Sequence, residues 1–354
     1  MSWRIIIAGA TLAVLLSLVV HVALHSPISP LPLALPSSSF QPNNLLKSVE
    51  KIGEGILILP EDTCLGKDGK LYTATRDGWI KRMHSNGTWE NWKMIGGSSL
   101  LGITPSVDGD IIVCDADQGL LKVGEGGLTV LATEVDGTKI LFADDAIEAS
   151  DGSIYFSDAS SKFEFHDFFL DLLEARSTGR LLKYDSLKKR TSVVLSNLSF
   201  PNGVALSPNE DYLLLSETYK FRCLKYWLKG ELKGSTEVFI DNLPGAPDNI
   251  NLAPDGSYWI ALIQIRSWWL DLIHSSPLAK LVIAAFPWAV ERLPSMLFKS
   301  AVVVNVDSNG KIRRMFDDYN GETISFVTSA LENEGHLYLG NLGSNFLGKF
   351  TLKD

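Results

Sequence analysis

Three carboxylates and one amide recur at a single place in a repeated pattern. Glu61 stands in "PED", Asp144 in "ADD", Asn202 in "PNG" and Asp248 in "PDN", each seven residues before a turn that starts at Asp68, Asp151, Asn209 or Asp255. The same count before Asp108 and Glu334 reaches Leu101 and Val327. One step later stand Asp62, Gly102, Asp145, Gly203, Asn249 and Thr328. Like charges brought together repel, and burial makes their ionisation costlier still. Protons or a cation must neutralise them. An oxygen-only set without Cys or His suits Ca²⁺, with Mg²⁺ second. Asp and Asn also favour turn starts because they bond nearby backbone amides, which is the purely structural account. Four in register favour the metal. The same spacing rejects Glu54 as a first ligand, because it lies too far before its turn.

The elements that position this set form a repeat. A turn followed by an alternating apolar strand occurs as "KDGKLYTAT", "VDGDIIVCD", "SDGSIYFSD", "PNEDYLLLSE", "PDGSYWIAL" and "NEGHLYLGN". Asp-Gly and its relatives between such runs signal hairpins. Several copies continue into a second hairpin, as in "DGWIKRMHSNG" and "GRLLKYDSLKK". Four short strands at a period of forty-odd residues describe propeller blades, and six copies predict an all-β six-bladed propeller. The first strand of each blade lines the central channel, so its first residues converge on the axis. Closure predicts that the segment near "EKIGEGILIL" completes the sheet of "HLYLG" and "FLGKF". Helical patterns over 161–175 and 264–298, the second broken by Pro277, Pro287 and Pro294, predict insertions that cap one face. They also read as packing filler or, through Trp268, Trp269 and Trp288, as a membrane-surface contact.

The N-terminus sets the address. Residues 5–24 carry no charged side chain, a length that crosses a bilayer core. Arg4 precedes them and Lys47 is the next Lys or Arg, which keeps the N-terminus cytosolic and the rest lumenal. Residues 1–25 thus read as a signal anchor, 26–45 as a Pro/Ser-rich linker and 46–354 as the propeller. The long apolar run favours an uncleaved anchor in the endoplasmic reticulum or vacuole. Cleavage would instead leave the protein in the vacuolar lumen or secreted. Sequons at Asn86 and Asn197 fit a glycosylated lumenal domain. Cys64, Cys114 and Cys223 are too few for a disulfide framework and allow one bridge or buried free thiols. With 45% hydrophobic residues, a net charge of −9 and no basic run, the chain supports a packed core and excludes nucleic acid as a partner.

The stretches "GRLLKYD", "FPNGVALSPNEDYLLLSET", "KYWLKG", "LPGAPDNI" and "HLYLGNLGSNFLGKF" resemble the strictosidine synthase-like proteins of plants and the animal adipocyte plasma membrane-associated proteins, over about residues 50–354. The resemblance places the chain in a wider six-bladed superfamily with paraoxonases, gluconolactonases and squid-type phosphotriesterases, which hold a catalytic Ca²⁺ on the axis. It maps the ligand set onto Glu61, Asp144, Asn202 and Asp248. Asp144 stands where the hydrolases usually carry Asn. The true synthase condenses an amine with an aldehyde through a glutamate at the start of the last blade, and Thr328 occupies that position here. A threonine is no carboxylate base at neutral pH.

These readings converge on a Ca²⁺-dependent lumenal esterase or lactonase of arylesterase type, acting on a small apolar substrate. Glu61, Asn202 and Asp248 would hold the metal, and Asp144 would ligate or direct the nucleophile. Asp145 and Asn249 would stand behind them. None of the six histidines has a clear claim as general base, although His166 and His274 lie in the insertions. The alternatives are a condensing enzyme, disfavoured by Thr328, and a non-catalytic membrane-tethered binding protein.

Overall fold

The computed structural model describes residues 3–35 and 41–353. Residues 36–40 of the Pro/Ser-rich run lie outside the described residues, as do the side chains of Arg4 and Trp269. Six sheets of four antiparallel strands are arranged as propeller blades. Blades one to five are consecutive in sequence, each running from its inner to its outer strand. Blade six takes its three inner strands from residues 327–351 and its outermost from Glu50–Ile52, where Lys51 pairs with Gly348. The expected ring closure is therefore present.

The second strands of blades two to four, Ile111–Asp115, Ser153–Asp158 and Tyr212–Glu217, are buried along almost their whole length. Neighbouring blades cover both of their faces, which is why apolar residues occupy consecutive positions. Each fully buried Leu or Ile there contributes about 2 kcal/mol. Outer strands such as Arg190–Leu198 are instead mostly exposed or half-buried. The second strands end in buried acids that find partners within their own blade. Asp115 accepts from the amides of Asp117 and Gln118. Asp158 accepts from Arg180 Nε at 2.9 Å and Glu217 from Arg222 Nε at 2.6 Å. Cys64, Cys114 and Cys223 are buried free thiols.

Among the described residues, five α-helices stand outside the sheets. α1 (Trp3–His25) is the apolar N-terminal helix, whose stretch Ile5–His25 is long and apolar enough to cross a membrane. α2 (Phe168–Glu174) follows a short 3₁₀ turn in the first insertion. The second insertion forms α3 (Trp268–Ser275), α4 (Pro277–Ala284) and α5 (Pro287–Leu297). Pro277 and Pro287 begin helices, where a missing N–H costs nothing. Pro294 does not end one: the backbone of α5 runs through it. Both insertions join second to third strands, so they cover the face where the inner strands begin.

Residues 26–35, in the run expected as a linker, lie along this cap. Ser29 N donates to Glu174 Oε1 at 2.6 Å and Leu33 N to His274 O at 2.8 Å. The buried Lys280 donates Nζ to Leu31 O at 2.7 Å, and burial pulls its pKa down to about 8. Ile28 is buried among the phenylalanines of the cap. Every one of these contacts uses the backbone or an aliphatic group of the segment, which a Pro/Ser-rich composition conceals.

Candidate functional site

Inner strands place most of the polar set by bulging; in blade one Glu61 instead stands just before the regular strand Asp62–Leu65. In blade three Ala143 pairs with Asp158 and Ala146 with Phe156, so Asp144 and Asp145 share a bulge. Blade four does the same around Asn202 and Gly203, and blade five around Asp248 and Asn249. Blade two bulges at Leu101 and Gly102. A regular strand would send adjacent residues to opposite faces. The bulge leaves both unpaired and turns them along the axis. The glycines follow from the same crowding. A Cβ on Gly203 would lie 2.5 Å from Asp248 O, and one on Gly102 2.5 Å from Asp145 Oδ1.

One cavity of about 230 Å³ is lined by Glu61, Asp144, Asn202, Asp248 and Thr328 together with Arg76. Its roof is apolar: Phe165, Phe168 and Phe169 from the first insertion, with Phe142, Phe200 and Phe326. All four expected metal residues therefore share one chamber. Asn202 Nδ2 donates to Asp144 Oδ2 at 3.1 Å. Asn249 reaches in from behind, donating Nδ2 to Glu61 Oε1 at 3.1 Å.

Asp145 goes elsewhere. With Asp62 and Asn249 it lines a second cavity of about 260 Å³, whose other walls include Ile103, Val204 and Ile250. It latches blade three to blade four through Val204 N at 2.8 Å, as Asp62 latches blade one to blade two through Ile103 N at 2.9 Å.

Blade six corrects the count. Val327 is buried in a core cluster with Leu337 and Leu339, and Thr328 lines the chamber in the place expected for Val327. The bulge lies between Val327 and Ser329. Thr328 Oγ1 donates to Glu61 O, so its hydroxyl ties the last blade to the first.

Electrostatics single out this ring. Burial raises the carboxyl of Glu61 well above the ordinary range, and Asp62, Asp248, Asp144 and Asp145 push it further. Asp248 is raised by burial and then by Asp144, Asp145 and Asp62. Burial takes Asp144 to about 8 against the pull of Arg76. In the chamber the buried oxygens Glu61 Oε2 and Asn202 Oδ1 have no hydrogen-bond partner, and Asp62 Oδ1 and Asn249 Oδ1, on the second cavity, are likewise unpaired. Orphaned acceptors among mutually repelling carboxylates are what a bound cation would satisfy. Among the described residues, no three His, Cys, Asp and Glu side chains are gathered to hold an ion by themselves. A complete oxygen shell needs the asparagine amides as well. With them the donor set fits Ca²⁺.

Arg76 is the residue that motif reading missed. It follows the second strand of blade one, bonds Leu100 O at 3.2 Å and lies 4.2 Å over the Phe165 ring. Its only sequence signal is an arginine just after "LYTAT". No histidine lines the chamber. His274 is buried in the cap with its pKa lowered to about 3 by burial, and His166 is exposed. The sequon residues Asn86 and Asn197 are both exposed, and Glu54 pairs with Lys51 at the surface.

Residues 144–231 match the strictosidine synthase family, and residues 39–83 match the N-terminal region of strictosidine synthase-like proteins. The chain is 38% identical over 320 residues to STRICTOSIDINE SYNTHASE-LIKE 4 of Arabidopsis thaliana, covering 88% of this chain and 84% of that one. It is 35% identical to the adipocyte plasma membrane-associated protein of Gallus gallus, over 94% and 86% of the two chains. Among solved structures, a gluconolactonase from Xanthomonas campestris superposes with a TM-score of 0.62 at 14% identity, over 92% of this chain and 99% of that one. The calcium-binding protein regucalcin from Agrobacterium tumefaciens gives 0.55 at 14%, over 91% and 96%. At these identities the two structures share the fold alone.

Proposed function

The chain belongs to the strictosidine synthase-like family, and from that premise we propose that it is a Ca²⁺-dependent hydrolase of small apolar esters or lactones. The observation that carries the reading is the chamber itself: three carboxylates and an amide on the axis beneath a roof of phenylalanines. Glu61, Asn202 and Asp248 would hold the ion, with Asp144 as a fourth ligand or as the group that directs water. Bound Ca²⁺ would polarise the ester carbonyl and neutralise the ring. The chain's own residues do the rest. The phenylalanines exclude water and select an apolar acyl or aryl group. The volume, just below the range of drug-sized pockets, limits the substrate to a small molecule. Arg76, the cation lining the chamber, faces the carboxylate that hydrolysis releases. With a cation bound in the ring to favour its carboxylate, Asp144 would take the proton of an attacking water. Asn249 fixes Glu61 from behind.

Thr328 argues against condensation. Its hydroxyl is spent on Glu61 O, and it carries no charge to hold a cationic intermediate. Anchored by residues 5–24, the propeller would lie on the lumenal side of an endomembrane, carrying glycans at Asn86 and Asn197. The test is turnover of a simple aryl ester by the purified protein with and without Ca²⁺. Turnover abolished by a chelator and restored by Ca²⁺ supports the reading. No turnover under either condition, with Ca²⁺ bound, would make the protein a binding module. Condensation of an amine with an aldehyde would restore the synthase chemistry.

A further inference from the structure

A helix that crosses a bilayer fixes the height of whatever is attached to its end. Ile5–His25 spans 21 residues. At 1.5 Å per residue this is about 31 Å, the thickness of the hydrocarbon core with nothing to spare. Its last turn must therefore sit at one membrane surface.

That last turn touches the cap. His21 Nε2 lies 3.1 Å from Ala285 O, at the junction of α4 and α5. The His21 ring stacks on Phe286 with centroids 4.7 Å apart, and Val22 is buried. Immediately afterwards residues 29–33 are bonded to α2, α3 and α4, as described above. The cap thus has no free tether that would let it drift from the bilayer.

On this same insertion large apolar side chains face outward. Trp268 is 63% exposed, Leu272 53%, Leu278 69% and Trp288 60%. Trp268 and Leu272 are i, i+4 neighbours and share a helix face. Tryptophan with leucine is the composition of helices that lie in a membrane interface. The charges of the insertion do not form a basic patch. Arg266 pairs with Asp271, Lys280 is buried, and Arg292 follows Glu291 directly, so the charges nearly cancel.

We propose that the α3–α5 face of the cap rests in the headgroup region of the bilayer that α1 crosses, held there by apolar insertion and not by anionic lipid. The phenylalanine roof then lies at the membrane-proximal end of the propeller, and the opposite face, with its Asp-Gly turns, points away into water. An apolar molecule dissolved in the bilayer reaches the chamber without passing through bulk solvent. The inference rests on α1 spanning the membrane and is independent of the hydrolase reading.

The test uses the full chain in phosphatidylcholine nanodiscs. Its three native cysteines are buried, so a single introduced exposed thiol takes a polarity-sensitive fluorophore. Leu278→Cys and Trp288→Cys probe the cap and Val14→Cys probes α1. Leu187→Cys is the aqueous control, on the far face where Ser186 bonds Gly152 O in an inner-strand turn. Labels at 278 and 288 are expected to be quenched by headgroup-level nitroxide lipids, and several-fold less by iodide than the label at 187. Neither added salt nor anionic lipid should change this. Quenching at 278 and 288 equal to that at 187 would overturn the proposal. So would shielding from iodide without lipid quenching, which would mean a second protein copy covers the face. Dependence on anionic lipid would overturn the apolar mechanism, and a label at 14 untouched by lipid quenchers would remove the premise.

Discussion

Two sets of buried acids occupy this propeller, and they are treated in opposite ways. Asp158 and Glu217, at the ends of second strands, are as deeply buried as any group in the molecule. Each meets an arginine from the next strand of its own blade, and each also accepts a backbone amide. Glu61, Asp144 and Asp248, on the axis, are buried to nearly the same degree. Their neighbours are chiefly one another, with Arg76 as the one lining cation. Burial is common to both sets and marks neither as functional. What differs is where the compensating charge comes from. The outer acids are neutralised by residues that fold beside them. The axial acids are drawn from different blades and have only Arg76 among the chamber's lining residues to offset them.

The comparison breaks most visibly at Asp248. Asp248→Asn keeps the shape and removes one charge. Ca²⁺-dependent ester turnover should fall about a hundred- to ten-thousand-fold, the range for losing one positioned acid–base or electrostatic group. Its metal-free melting temperature should hold or rise as repulsion is relieved. A lower melting temperature with unchanged turnover would place Asp248 with the outer, structural acids. Arg180→Met should do the reverse. It strands Asp158 without its partner, costing about 3 kcal/mol in urea unfolding, while calorimetric Ca²⁺ affinity stays unchanged. Next comes Gly203→Ala, whose methyl group would push blade four from blade five at Asp248 O. A loss of about 1–3 kcal/mol is expected, as for other overpacked cores, together with weaker Ca²⁺ binding.

The smallest effect is a pH slope in the cap. Asp171 is buried against Ser160 and Tyr219, and burial raises its carboxyl to about 6. The folded state therefore holds a proton that the unfolded chain has already released. This contribution is complete below about pH 4 and is lost as pH rises towards 6, with a slope of at most about 1.4 kcal/mol per pH unit. Urea titrations of the wild type and Asp171→Asn should differ by that slope in that window. An identical pH dependence in the variant would show that Asp171 is not the titrating group.

The blade count, the closing strand and the gathering of Glu61, Asp144, Asn202 and Asp248 were legible in the sequence because hairpin turns recur at fixed distances from the axis. The bulges were not, since an extra residue in a strand leaves the apolar pattern unchanged around it. Blade six shows how such a count slips. Its hairpin turns on Glu334 and Gly335 alone, both with positive φ, a two-residue turn shorter than those of the other blades. Counting back from the turn therefore overshoots by one and lands on Val327. Arg76 was hidden because it lies beyond the strand on a connection, where spacing carries no register. The docking of residues 28–33 was hidden because backbone groups make most of it.

Closure of blade six also sets an order in time. The outermost strand, Glu50–Ile52, is among the first parts of the propeller to be synthesised, and its partner Leu347–Thr351 is the last. Until residues 347–351 have left the ribosome, the ring must stay open, with Glu50–Ile52 and the edge of blade six unsealed. This pairing joins Lys51 to Gly348 across almost the whole propeller sequence, and such contacts form slowly. A nascent chain thus carries exposed strand edges for most of the propeller's synthesis. Loss of even the last few residues would leave Glu50–Ile52 without its partner and the edge of blade six open to other chains.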